Sequence, residues 1–242
     1  NGPHKVRVIK QPDHCNICEH ANRLVNEVSG EYIIFASGDD LQDPTRTEKV
    51  VRVWQETGAD MIGNNLAKIT ADGGKVIELH RNPNEQYHVD LEEILRRTPH
   101  TACTGAGQAW SPRLFDLHGP LPSWYHTSDV LVPFWGALEG GAAFISEPLT
   151  YFRITGENCG MGSQHMTATE DERHHLEEKM HADVSMHLLM IRRTLLGLKV
   201  QEPDRYDYDG LDALILENFA DAAELWSESR EELLKLEMAA RL

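Results

Sequence analysis

Ala21, Leu24, Val25 and Val28 recur at helical spacing, which predicts a helix over His20–Ser29 with one apolar face, stopped by Gly30. Ahead of it, Val6–Ile9 in KVRVIKQ reads as a short strand. Behind it, Glu31–Phe35 (EYIIF) is a continuous apolar, aromatic and β-branched run. Such a run has the profile of a strand buried on both faces of a parallel sheet. Strand, helix, strand in that order is the signature of an α/β domain.

The pattern continues in the same style. Pro44 suits a helix first turn, Thr47, Val50, Val51 and Trp54 then repeat on one face, and Gly58 ends the helix. Met61–Thr70 and Lys75–Leu79 read as strands joined by a hairpin turn at Asp72-Gly73-Gly74. A short helix is predicted over Asp90–Arg97, and Thr101–Trp110, rich in small residues, is left without an assignment. Ser128–Leu138 reads as a helix with Pro133 in its first turn or bending it, and Ala142–Ile145 and Leu149–Ile154 as two strands broken at Pro148. From Thr167, which with Glu170 fits a capping box, the period is helical. Leu176, Met180, Val184, Leu188, Ile191 and Leu195 share one stripe, and Leu214, Ile215, Phe219 and Leu225 share a second. Two regions result: residues 1–160, mixed α/β, and a helical C-terminal extension over 161–242.

Composition narrows the function classes. In 242 residues, 40% are hydrophobic and 26% charged, which excludes disorder, collagen and coiled coil. The net charge of −16 argues against a nucleic-acid partner, because phosphate recognition needs a basic patch. No apolar run reaches the ~20 residues of a membrane span, and the sequence shows no secretory h-region. Four cysteines are too few for a disulfide scaffold, so a cytoplasmic location is expected, with attachment to a membrane periphery as the second reading.

The sharpest chemical feature is Asp39-Asp40, placed where an α/β sheet binds ligands, after the carboxyl end of a strand. Adjacent carboxylates repel unless a cation or donors offset them. One reading is a Mg²⁺ or Mn²⁺ site that takes the two carboxylates together with substrate phosphates. The other is an Asp-rich turn that caps the next helix.

The stretch from Asn22 through Gly30-Glu31-Tyr32-Ile33-Ile34-Phe35-Ala36-Ser37-Gly38-Asp39-Asp40 to Pro44 resembles the donor-site segment of family-two inverting glycosyltransferases. A second series agrees in order: Leu114-Phe115, Gly119-Pro120-Leu121, Ser128-Asp129, Gly140, Glu147-Pro148-Leu149, Tyr151, Arg153 and Asn158. The resemblance covers about residues 5–160. It implies a GT-A-like, Rossmann-like α/β fold: a mixed sheet flanked by helices, as in nucleotide-diphospho-sugar transferases. It implies transfer of a sugar from a nucleotide-diphosphate donor to an acceptor hydroxyl with inversion, assisted by a divalent metal, in polysaccharide or glycoconjugate biosynthesis. Asn22, Gly38, Asp39 and Arg153 would bind the donor, Asp39 and Asp40 the metal. Asp129 would be the catalytic base, and Trp110 and Trp124 would lie near a saccharide, lipid-linked or other hydroxyl-bearing acceptor.

The chain departs from the family pattern at Ser37, Ser128 and Thr155, where the family carries Asp, Glu and often His. The family's opening nucleotide-binding strands have no counterpart, so the chain is expected to start after them. These departures support an alternative, a non-catalytic GT-A-like binding module. A third reading is a zinc-stabilised interaction domain on Cys15 and Cys18, flanked by His14 and His20, although no second C-x-x-C accompanies them and Cys103 and Cys159 are isolated. His174, His175, His181 and His187 are expected to be solvated helix residues. The C-terminal helices are a candidate surface for pairing two copies of the chain.

Overall fold

The computed structural model describes residues 6–11, 13–79, 88–96, 104–125, 127–155 and 169–224. The C-x-x-C cysteines fall within these ranges. Cys103, Cys159, Asn158 and the Thr167 end of the expected capping box lie outside them.

Among the described residues the chain runs α1 (Ile17–Glu27), β1 (Ile33–Ile34), β2 (Leu41–Gln42), α2 (Arg46–Thr57), β3 (Met61–Ile69), β4 (Val76–Leu79), β5 (His88–Val89), α3 (Leu91–Arg96), a 3₁₀ turn (Gly105–Gly107) and β6 (Gln108–Trp110). α4 (Arg113–His118), α5 (Leu131–Leu138), β7 (Ala142–Arg153), α6 (Glu170–Gln201) and α7 (Tyr208–Glu224) follow. The fold is α/β, as expected, built on a mixed sheet of order β1-β6-β3-β7-β2, with β4 on β3 and β5 on β7. Of the described strand pairs, only β3 and β7 run parallel; the others are antiparallel.

Successive residues of a strand face opposite sides of the sheet. Here each central strand splits a neighbouring pair between two cores. Met61, Trp110 and Ala142 face the larger core; Ile62, Ala109 and Ala143 face the smaller one. The smaller core is closed by α2 through Val50, with Tyr32 stacked obliquely on Trp54 at 5.3 Å. The larger core takes α1, α3, α4, α5 and the helical segment, through Leu188, Ile191, Leu195 and Ile215. The C-terminal helices thus share the core of the sheet domain. Gly136 lets α5 lie flat on β3, because a Cβ there would sit 2.3 Å from Met61 Cβ.

Several expectations change. Val6–Ile9 pairs with no described strand and is exposed. β1 is an edge strand, half-buried and antiparallel to β6, where the run EYIIF pointed to a parallel strand buried on both faces. Pro148 bends rather than breaks its strand: β7 is continuous, and the register against β3 shifts on either side of the Asn65–Pro148 pairing. Such a local irregularity accommodates the missing N–H. His187 is fully buried, with its Nδ1 hydrogen-bonded to the Tyr125 hydroxyl.

Candidate functional site

The Asp39-Asp40 turn follows β1 and leads into β2, which pairs with the end of β7, so Arg153 is brought beside the two carboxylates. The Arg153 backbone amide donates to Asp40 Oδ1 at 3.0 Å. Its guanidinium donates to the carbonyls of Asp39 at 2.8 Å and Ala71 at 2.6 Å. Asp39 is exposed and Asp40 half-buried. Burial raises the Asp40 pKa, the Arg153 amide opposes the rise, and the Asp39 charge adds to it. The Ser37 hydroxyl also lies against this carboxyl and favours its charged form. Asp40 Oδ2 is buried and meets no hydrogen-bond partner. A buried carboxylate oxygen left open in this way suits a cation or a ligand donor.

The turn is held from behind by a polar network that the sequence reading did not single out. Arg46, 1% exposed, donates to Asn64 Oδ1 (2.8 Å), the Phe35 carbonyl (2.8 Å), the Gln108 carbonyl (3.1 Å) and Gln42 Oε1. The Thr150 hydroxyl joins Gln42 Oε1 at 3.2 Å to the Ala106 carbonyl at 3.5 Å. One signal could have revealed Arg46. It stands one helical turn before Val50, on the face of α2 that is buried, whereas Thr47, read as part of the apolar stripe, is exposed.

Asp129 lies on the other side of the Gly105–Gly107 turn. A Cβ on Gly105 would fall 2.2 Å from Asp129 Oδ1, so the carboxylate packs directly over this glycine. The Asp129 amide is fixed by the Thr127 hydroxyl at 3.1 Å. Cys18 of α1 is close enough to feel the Asp129 charge: burial first, then Asp129 and Glu19, push its thiol up to about 12. The 3₁₀ turn therefore links Asp129, through Ala106, Thr150 and Gln42, to the Asp39-Asp40 turn.

The remaining expected site residues divide. Gly38 lies open in the same turn, with free space where a side chain would stand. The Asn22 side-chain amide brackets Leu121, donating to the carbonyl at 2.8 Å and accepting from the amide at 2.9 Å. Trp110 is 2% exposed and packs in the larger core against Phe115, at 5.0 Å between ring centres. Trp124 is 46% exposed, edge-on to Tyr125, in the loop that leads to Asp129. Asx geometry at Asp43, which accepts from the Thr45 amide and hydroxyl, starts α2.

For the zinc reading, Cys15 and Cys18 are free, and the described residues contain no group of three or more metal-ligating side chains. No described helix is long and apolar enough to cross a membrane.

The fold has a solved counterpart. The chain superposes on S. aureus TarS 1-349, crystallised with UDP-GlcNAc, with a TM-score of 0.52 at 12% identity, over 90% of this chain and 58% of that one. In sequence, it is 24% identical over 148 residues to an uncharacterized glycosyltransferase of Nostoc sp. (strain PCC 7120), covering 59% of this chain and 45% of the relative. The chain thus spans less than two thirds of either protein. No protein-family model matches it.

Proposed function

We propose that the chain carries the donor- and acceptor-side residues of an inverting, metal-assisted glycosyltransferase that uses a nucleotide-diphosphate sugar. The observation that carries the reading is the joining of Arg153 to the Asp39-Asp40 turn, with Asp40 Oδ2 left open beside it. The sequence relative described as a glycosyltransferase and the shared fold with TarS, solved with UDP-GlcNAc, support it. They make a uridine nucleotide the first donor to test.

In this reading Asp39 and Asp40 are the residues that would hold a Mg²⁺ or Mn²⁺ ion together with the diphosphate. Two carboxylates are few for a resident metal, but they suit an ion that completes its shell with phosphate oxygens and water. Bound there, the metal would offset the negative charge that develops on the leaving diphosphate. Arg153 keeps the turn in shape from one side. Asp129 takes the proton from an acceptor hydroxyl as that oxygen attacks the anomeric carbon, a role that contributes about 10²–10⁴-fold. Trp124, exposed beside the Asp129 loop, offers a ring face to an acceptor sugar. Trp110 and Asn22, engaged in the core and on Leu121, serve the scaffold. The setting we infer is polysaccharide or glycoconjugate assembly.

A non-catalytic binding module is the second reading, favoured by Ser128, which is a small buried residue immediately before Asp129. One experiment separates the two: release of UDP from UDP-GlcNAc with saccharide acceptors, for the unmodified chain and Asp129→Asn. Glycosyl transfer predicts turnover that Asp129→Asn removes while UDP binding survives. UDP binding without turnover in either protein would establish the binding module instead.

A further inference from the structure

Arg46 is a buried guanidinium that the proposed chemistry does not use. Four of its acceptors come from four separate places. The Phe35 carbonyl lies just after β1, where the Asp39-Asp40 turn begins. Gln42 Oε1 lies on β2, where that turn ends. Asn64 Oδ1 belongs to β3 and the Gln108 carbonyl to β6, two inner strands of the sheet.

From this geometry we propose that Arg46 is the positioning residue of the donor turn: it fixes both ends of segment 36–41 to two inner strands of the sheet. The claim rests on reading Asp39-Asp40 as the donor site. The guanidinium is a rigid planar fork with five N–H donors, so it can hold several acceptors in one fixed relation. A lysine ammonium of similar length and charge is a single point and cannot span them. Gln42 Oε1 also accepts from Thr150, so the fork sets the orientation of that side chain as well. A segment of six residues carrying two like charges would otherwise resist one compact shape, since adjacent carboxylates repel. Arg46 restrains that freedom from the two flanks of the turn, through the Phe35 carbonyl and Gln42 Oε1.

The test compares the unmodified chain with Arg46→Lys, and with Gln42→Ala as the variant that removes the anchor at the far end of the turn, together with its Thr150 contact, and keeps the guanidinium. Two readouts are needed: amide hydrogen exchange, and calorimetric affinity for UDP with Mn²⁺. The expected result is exchange about ten-fold faster over 36–41 with α6 unchanged, and UDP affinity about ten-fold weaker in the folded variants. Faster exchange throughout the protein, or unaltered exchange over 36–41 in both variants, would overturn the positioning role. Failure of the unmodified chain to bind UDP would count against the donor-site reading alone, and the exchange data would still decide whether Arg46 positions the turn. Should Arg46→Lys fail to fold, Gln42→Ala supplies the same comparison.

Discussion

The backbone amide of Arg153 donates to Asp40 Oδ1 across 3.0 Å, joining residues 113 positions apart in the chain. The same residue's guanidinium closes over the Asp39 carbonyl. Arg153→Ala keeps the amide bond and removes the clamp. The expected outcome is about ten-fold weaker UDP·Mn²⁺ binding with a stability loss of about 1 kcal/mol, the value of a typical lost hydrogen bond. Calorimetry and urea unfolding measure the two separately. An unchanged affinity would show that the clamp does not shape the ligand site.

Gly105 sets the position of Asp129. A methyl group there would meet Asp129 Oδ1 at 2.2 Å, so Gly105→Ala displaces the carboxylate while the Arg153 bonds of the Asp39-Asp40 turn stay in place. Misplacement of a reacting group by about 1 Å costs roughly 10²-fold in rate. The prediction is a fall in kcat of that order with UDP affinity retained. Equal losses in both quantities would mean that Gly105 serves the donor site.

The helical segment reaches the Trp124 loop through His187, whose ring is buried against Tyr125, one residue after Trp124. Tyr125→Phe removes a hydroxyl partner from a buried imidazole. A stability loss of about 1–3 kcal/mol is expected, measured by chemical unfolding. A neutral result would show that ring packing alone holds α6 to the loop.

His118 stacks on Trp135 at 5.1 Å and faces Glu139 at 3.0 Å, with Arg113 and Arg205 nearby. Burial lowers its pKa, and Glu139 only partly opposes the shift. The unfolded chain therefore takes up the proton first. Stability is undiminished above the ordinary histidine range and falls as pH drops through it. His118→Gln should flatten unfolding free energy against pH between about 7 and 5.5, where an unperturbed histidine titrates. A variant as pH-sensitive as the parent would assign the effect to other groups.

Much of this arrangement was legible in the sequence. The EYIIF run followed by Asp39-Asp40 located the turn, Gly58 and Gly73 marked ends and hairpins correctly, and Arg153 falls beside the acidic pair. What periodicity could not show was pairing between distant segments. β1 became an antiparallel edge because β6, only three residues long and unassigned in the sequence, takes its inner side. Arg46 was hidden because a charged residue reads as solvated until its acceptors are known. Trp110 and Trp124 look alike in sequence, and only the packing separates a core ring from an exposed one.

On the proposed function, Asp39 and Asp40 form a nucleoside-diphosphate site that works with a divalent metal. The most direct test is calorimetric titration of the chain with UDP, with Mn²⁺ and with EDTA, beside the double variant Asp39→Asn, Asp40→Asn. The expected result is saturable binding that requires Mn²⁺ and disappears in a double variant that still folds. Absence of binding by the unmodified chain, or equal binding with EDTA or in the double variant, would contradict it.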